Sequence, residues 1–230
     1  MKKYTHGIFR FSLVVMFGLI ITATVYSQES ELISKASFGQ IEEVKALVES
    51  GVDIDAQDDS YGYTALMWAC EHNFIDMARY LLSKGADPNI RANDGSTALI
   101  RAAWGAPDAV ELLLAEGADI NAKADDGSGV LTQCIYGILH KGYPMELAEM
   151  LVSKLADVEE ALIKSDYSME GYTTLFWAAR DNHEQLVRLL IKHGADVNSV
   201  AEDGKTPLKL AEEEGHQEMV KLLKSMGALR

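Results

Sequence analysis

Cysteine, proline and basic residues are all scarce in this chain of 230 residues. The two cysteines, Cys70 and Cys134, do not form a CxxC pair, which excludes a disulfide-rich scaffold and a zinc ribbon. With 4 prolines and 48% hydrophobic residues, the composition is that of a globular protein and excludes a collagen-like or broadly disordered one. Against 35 acidic residues there are 21 basic ones, so the net charge is -14. This deficit disfavours binding to nucleic acid or to an anionic membrane surface.

The first 27 residues have the pattern of a signal peptide. Three basic residues precede an uncharged run at 11–26, and the chain then becomes polar. Val25 and Ser27 are small enough for the -3 and -1 positions of a cleavage site, which predicts a cut between Ser27 and Gln28. The alternative is an uncleaved anchor in the inner membrane, although the run is shorter than the roughly 20 apolar residues that span a bilayer.

Cleavage would leave an acidic protein outside the cytoplasm. It would remove three basic residues and no acidic one, so 35 acidic residues would face 18 basic ones, a net charge of -17. The lysine-rich, compact leader is typical of bacteria, and we expect a periplasmic or secreted protein.

Two short segments repeat along the rest of the chain with a period near 33 residues. The first segment occurs as GYTALMWA from Gly62, GSTALIRA from Gly95, GYTTLFWA from Gly171 and GKTPLKLA from Gly204. The second occurs as GVDID from Gly51, GADPN from Gly85, GADIN from Gly117 and GADVN from Gly194. The two series interleave in register over residues 28–230. Together they resemble the ankyrin repeat, which joins a Thr-Pro-Leu-His-type helix start to a Gly-Ala-Asp loop.

The resemblance implies an all-α ankyrin-repeat solenoid of about six helix-turn-helix units with short hairpin loops, preceded by the signal helix. Each helix pair has too little apolar surface to stand alone and must bury it against the next pair. In the second unit we expect Thr64 to cap the first helix, a second helix over 75–83, and a left-handed Gly85 at its end. The predicted units are 28–61, 62–94, 95–126, 127–170, 171–203 and 204–230.

The fourth unit departs from the pattern, because 44 residues separate Gly127 from Gly171 where 33 are regular. Gly129 replaces the capping threonine, so that a cap must come from Ser128 or be absent. A second helix is expected over 144–155, followed by an inserted segment, 157–170, in which helical spacing of apolar residues predicts a short extra helix. The insertion is either structurally neutral or a contact for a partner.

The sequence offers little for catalysis or for a metal. Its six histidines form no HExxH or HxH motif, and no GxSxG motif or glycine-rich phosphate loop occurs. We therefore predict neither an enzyme nor a metal or cofactor site, and we expect His183 and His216 to cap second helices. Cys70 and Cys134 occupy equivalent places two units apart, roughly 15 to 20 Å for helices packed about 8 to 10 Å apart, which predicts two buried free thiols.

The resemblance implies a protein-binding role through the hairpin tips and the concave face of the first helices. Carried over by position, the predicted partner-binding residues are Tyr61, Tyr63, Trp68, Asn93, Asp94, Arg101, Trp104, Asp125, Asp126, Tyr172, Trp177, Asp203 and Lys205. Trp68 and Trp177 are either partly exposed, which we favour, or part of the core. Acidic tips beside aromatic residues favour a protein partner with a basic patch.

Three functions follow from this pattern. The leading hypothesis is a noncatalytic, monomeric protein-binding module that is exported from the cell. A sharper version is an inhibitor or immunity protein for a periplasmic or secreted enzyme. The third is a structural envelope scaffold tethered by an uncleaved N-terminal helix.

Overall fold

The computed structural model describes residues 28–155, 158–159 and 171–229, and it contains twelve helices in six pairs within these ranges. The helices are α1 (28–37), α2 (Ile41–Glu49), α3 (Ala65–Glu71), α4 (Ile75–Ser83), α5 (Ala98–Gly105), α6 (Pro107–Ala115), α7 (Val130–Lys141), α8 (Met145–Lys154), α9 (Thr174–Arg180), α10 (Glu184–Lys192), α11 (Pro207–Glu213) and α12 (Gln217–Ser225). The predicted leader and most of the predicted extra helix at 157–170 lie outside the described residues. Each helix within the described ranges is too short or too polar to span a lipid bilayer.

The second unit shows how the repeated residues produce a helix pair. The Thr64 hydroxyl accepts a hydrogen bond from the Met67 amide at 3.2 Å, which satisfies one of the free N–H groups at the start of α3. In α4, four apolar residues on one face are buried, including Met77 and Leu81. Gly85 follows with φ +93°, a conformation that side chains disfavour, and it ends the helix as the sequence predicts.

The helix pairs stack side by side around one continuous apolar core, which runs from Leu32 in α1 to Leu223 in α12. The first helices α3, α5 and α7 pack on one another in series, and α9 packs closely on α11. The second helices contact one another less. A stack whose first helices lie closer together is curved, so the first helices line its concave face.

Asparagine side chains in the Gly-Ala-Asp loops connect consecutive units. The Asn89 side chain donates to the Gly117 carbonyl at 3.1 Å and accepts from the Asp119 amide at 2.8 Å. Asn198 makes the same pair of bonds to the last loop. In the fourth unit this position is Glu159, whose carboxylate accepts from the Asp196 amide at 2.6 Å. Leu155 therefore begins a loop equivalent to the others, although it lacks the glycine.

This equivalence divides the extra length of the fourth unit into two parts. Gly127 to Leu155 is 28 residues, whereas Gly171 to Gly194 is 23. Five of the 11 additional residues therefore lie between Gly127 and Leu155. They accompany a longer first helix, because α7 has 12 residues whereas α9 has 7. The second helix predicted over 144–155 is observed as α8, and α7 before it continues for an extra turn until Gly142 ends it at φ +69°.

The extra turn compensates for the third unit, which is one residue short. Gly95 to Gly117 is 22 residues, so α5 ends abruptly at Gly105 before Pro107 begins α6. The Trp104 carbonyl accepts hydrogen bonds from the Tyr143 hydroxyl at 2.8 Å and from the Lys141 ammonium at 3.2 Å. The last residue of α7 and a residue just after it thus satisfy a carbonyl at the end of α5.

Several caps differ from the repeat pattern. No side chain caps α7, whose N-cap residue is Gly129. His183 caps α10, since its Nδ1 accepts from the Leu186 amide at 3.3 Å. The matching prediction for His216 is wrong, because its Nε2 instead contacts the Arg180 carbonyl at 2.9 Å in the preceding unit.

Both cysteines are buried free thiols, as the stacking register predicts. Burial raises the pKa of the Cys70 thiol to about 12. Cys70 therefore acts as a small apolar core residue.

Candidate functional site

The concave face carries two groups of aromatic side chains. Within each group, neighbouring rings are in contact. We call Tyr61, Tyr63 and Trp68 the N-terminal cluster. We call Trp104, Tyr136 and Trp177 the ring row, which crosses the third, fourth and fifth units. The three tryptophans are partly exposed.

The N-terminal cluster is built on α3 and the hairpin before it. Trp68 lies 5.0 Å from Tyr63 and 6.1 Å from Tyr61, measured between ring centroids, and its indole N–H donates to Asp58 at 3.1 Å. Tyr61 is 58% exposed, whereas Tyr63 is 5% exposed. A cavity of about 370 Å³ opens between this cluster and α1. Tyr61 and Trp68 are therefore the members of the cluster that a partner can reach.

The ring row depends on Tyr136, which lies on α7 between the other two rings. Its centroid is 5.0 Å from that of Trp104 and 6.0 Å from that of Trp177, in tilted and edge-on arrangements that aromatic pairs favour. Its side chain is 36% exposed. On the same helix, His140 lies 4.2 Å from the Tyr136 ring. A continuous aromatic surface thus crosses three units.

A cation lies over the ring at each end of the row. The Lys141 ammonium is 3.5 Å from the Trp104 centroid, and the Arg180 guanidinium is 5.0 Å from the Trp177 centroid. Arg180 also bonds to Asp181 at 2.7 Å, which raises the pKa of Arg180. Burial lowers the pKa of Lys141, only partly offset by the charge of Glu71.

Arg101 connects the N-terminal cluster to the hairpin tip of the third unit. Its guanidinium lies 4.6 Å from the Tyr63 centroid, bonds to Asp94, and is 3.8 Å from Glu71. Burial alone would raise the pKa of Asp94, but hydrogen bonds from Ser96 and Arg101 outweigh it and hold that pKa below its ordinary value. Asp94 is therefore an ionised partner of Arg101.

The other acidic tip residues also have partners within the chain. Asp58 accepts from the Trp68 indole, Asp125 from Arg91, Asp126 from Ser128, and Asp203 from Tyr172 and the Lys205 amide. These bonds fix the tips and occupy part of the hydrogen-bonding capacity that a basic partner would use.

The structure places the predicted partner-binding residues in two classes. Tyr63 and Tyr172 are buried, at 5% and 7% exposure, and Tyr172 supports Asp203 through a 2.9 Å hydrogen bond. The exposed or partly exposed members are Tyr61, Trp68, Asn93, Asp94, Arg101, Trp104, Asp125, Asp126, Trp177, Asp203 and Lys205. Burial thus corrects the tip assignment of Tyr63 and Tyr172, which offer a partner almost no surface.

Sequence reasoning missed Tyr136, His140, Lys141 and Arg180. The first three lie in the second half of α7, beyond Gln133, which is the position that matches Trp68 and Trp177 in the repeat. The signal was present in the sequence, because Lys141-Gly142 followed by Pro144 marks a helix end later than in the other units. Among the described residues, no group of three His, Cys, Asp or Glu side chains could hold a metal ion.

The match to a solved complex covers almost the whole fold. The structure of the predatory endopeptidase Bd0816 from Bdellovibrio bacteriovorus in complex with immunity protein Bd3460 contains a chain that is 30% identical to this one. The superposition has a TM-score of 0.69 and covers 84% of this chain and 96% of that chain.

Curated relatives match over shorter stretches. The human ankyrin repeat domain-containing protein 40 is 44% identical over 68 residues, which is 30% of this chain and 18% of that protein. A putative ankyrin repeat-containing protein of Treponema pallidum is 42% identical over 64 residues, 28% of this chain and 22% of that protein. This chain therefore spans less than a quarter of these relatives.

The family model for ankyrin repeats in three copies matches residues 32–124 and 135–228. These two ranges include part or all of every helix pair and together cover most of the described chain. The chain belongs to the ankyrin repeat family.

Proposed function

We propose that this chain is an immunity protein that inhibits an endopeptidase acting outside the cytoplasm. The observation that carries the proposal is the near full-length match to the chain from the Bd0816 complex, an ankyrin immunity protein bound to its endopeptidase. A match over 96% of that chain includes the whole stack and not a single repeat.

The concave face supports a protein-binding role. Tryptophan, tyrosine and arginine contribute most to binding at protein interfaces, and the face presents all three types, partly exposed, across neighbouring units. The helices that carry them are fixed by the apolar core, so little conformational entropy is lost when a partner binds.

Export completes the proposal. The leader predicted at 1–27 would deliver the protein to the compartment in which a secreted or periplasmic endopeptidase acts. The cell that makes the enzyme would then be protected from it. An uncleaved leader would give the same module a membrane tether, as in the scaffold hypothesis.

The test is an inhibition titration with purified enzymes. The enzymes are the endopeptidases encoded beside the gene and, as a reference, Bd0816. Each is mixed with increasing amounts of the chain, and cleavage of a fluorogenic substrate is followed. We expect activity of one enzyme to fall linearly and reach its minimum near one chain per enzyme.

Two controls distinguish true inhibition from a decrease in signal that arises because the enzyme cleaves the chain as a competing substrate. Gel electrophoresis must show that the chain stays intact, and the heat-unfolded chain must not inhibit. Full activity of every enzyme at a tenfold excess of the folded chain would refute the proposed function.

A further inference from the structure

The middle of the concave face, formed by the first helices of the second to fifth units, is positive in a chain that is strongly negative. We call these four first helices the floor; α1 and α11, at the two ends of the stack, each carry one basic and two acidic residues. The first helices α3, α5, α7 and α9 together carry three basic residues, Arg101, Lys141 and Arg180, and one acidic residue, Glu71. The second helices of the same units carry six acidic and four basic residues. Along these four units, positive charge is therefore concentrated on the first helices, and most of the acidic residues lie on the tips and the second helices.

Lys141 is the cation of the floor that forms no ion pair with a described carboxylate, although the charge of Glu71 acts on it from a longer distance. Arg101 is paired with Asp94 and Glu71, and Arg180 with Asp181. By contrast, no carboxylate of the described residues lies within 4.0 Å of the Lys141 ammonium, which contacts the Trp104 carbonyl and lies over the rings of Trp104 and Tyr143. An ammonium has three N–H donors, so Lys141 keeps donors for another group.

An apolar surface lies directly beside this cation. Tyr136 contacts Trp104, the ring that Lys141 covers, and is the most exposed ring of the row. The combination of an unpaired cation and an open aromatic surface suits a segment that presents a carboxylate next to an apolar side chain.

We propose that the ring row binds an acidic segment of the inhibited endopeptidase, with a partner carboxylate on Lys141 and the adjacent apolar side chain on Tyr136. This inference rests on the proposed function and specifies the chemistry of its partner. It replaces the basic patch expected from the acidic tips, because the tip carboxylates at Asp58, Asp94, Asp125, Asp126 and Asp203 already have partners within the chain.

The experiment measures binding of the full chain to the endopeptidase that it inhibits. Lys141→Glu places a negative charge where we expect a carboxylate, and Lys141→Gln removes the charge with little change of size. Tyr136→Ala removes the aromatic surface. We expect Lys141→Glu and Tyr136→Ala each to weaken binding at least about tenfold, in the range of important interface residues. Lys141→Gln should weaken binding less and reduce its dependence on salt.

Matched variants on the convex face control for net charge and for loss of an aromatic side chain. Lys192→Glu, at the end of α10, changes the net charge as Lys141→Glu does, and Tyr80→Ala truncates a partly exposed tyrosine on α4. Both should bind as the unaltered chain does. Circular dichroism melting should show that every variant is folded.

The outcomes separate the inference from the proposed function. If the unaltered chain inhibits the enzyme and the Lys141→Glu variant binds the enzyme at least as tightly as the unaltered chain does, the proposal of an acidic partner segment is refuted and the inhibitory function stands. Equal weakening by Lys192→Glu would also refute it, since net charge alone would then explain the effect. If the unaltered chain inhibits no endopeptidase, the proposed function itself fails.

Discussion

Substitution of Gly137 by alanine tests the packing that holds the ring row in place. Gly137 is buried within α7, and a Cβ built there would collide with Cδ2 of Tyr143 and lie 2.8 Å from its Cε2. Real Cβ atoms do not approach other atoms so closely. Tyr143 must therefore move, although its hydroxyl is bound to the Trp104 carbonyl at 2.8 Å.

The direction of the effect follows from three contributions. Replacing glycine by alanine inside a helix ordinarily stabilises by about 1 kcal/mol. Inserting a methyl group into a packed site costs about 1 to 3 kcal/mol. Loss of the Tyr143 hydrogen bond costs about 1 kcal/mol more. We therefore expect Gly137→Ala to lower the free energy of unfolding by about 2 kcal/mol, taking the middle of the packing range.

Urea denaturation followed by circular dichroism measures this change. The control is the same substitution in a Tyr143→Ala background, where no ring obstructs the new methyl group. There, Gly137→Ala should stabilise by about 1 kcal/mol, the ordinary helix preference. A stabilising Gly137→Ala in the unaltered chain would show that Tyr143 does not cover this position, and the account of the extra turn would be refuted.

Three further predictions concern the caps, the thiols and the leader. Thr64→Ala should destabilise the fold by about 1 kcal/mol in urea denaturation, since it removes the cap of α3. Thr97→Ala should have a clearly smaller effect, because the Thr97 hydroxyl is buried without a hydrogen-bond partner. Equal losses of stability in the two variants would contradict the assignment of Thr64 as a cap. Cys70 and Cys134 should not react with a thiol reagent at pH 8 in the native protein and should both react in denaturant; rapid native labelling would show that they are not buried. N-terminal sequencing of the exported protein should begin at Gln28, and an intact Met1 would refute cleavage.

Much of the helix architecture could be predicted from the sequence, because a repeated unit constrains each element several times. Gly85 and Gly194 mark the same loop, so the helices between the repeated segments have almost no freedom in length or register. The buried face of α4 follows from the same period, since each helix must meet an identical neighbour.

The fourth unit was harder to predict because its total length does not say where the additional residues lie. Leu155 replaces the glycine that marks the loop elsewhere, and Glu159 replaces the asparagine. A longer carboxylate can accept the same amide hydrogen bond as an asparagine oxygen, but this equivalence is visible only in the structure. The extra turn of α7, which ends at Lys141, was missed for this reason.

The repeat pattern also does not predict the orientation of individual side chains. Register places Tyr63 and Tyr172 at hairpin tips, where exposure is the ordinary expectation. In the structure both rings turn inward, Tyr63 against Trp68 and Tyr172 against Phe176 at 4.9 Å. A position in a repeat therefore predicts which unit and loop a residue belongs to, but not which way its side chain points.

The bonds between the end of α7 and Trp104 limit how this protein can be rebuilt from interchangeable modules. A regular module in place of the fourth unit would remove the Lys141 and Tyr143 donors and leave the Trp104 carbonyl without them. A regular module in place of the third would change the short connection against which those side chains are arranged. The third and fourth units should consequently be exchanged together when a chimaeric repeat protein is built from this chain.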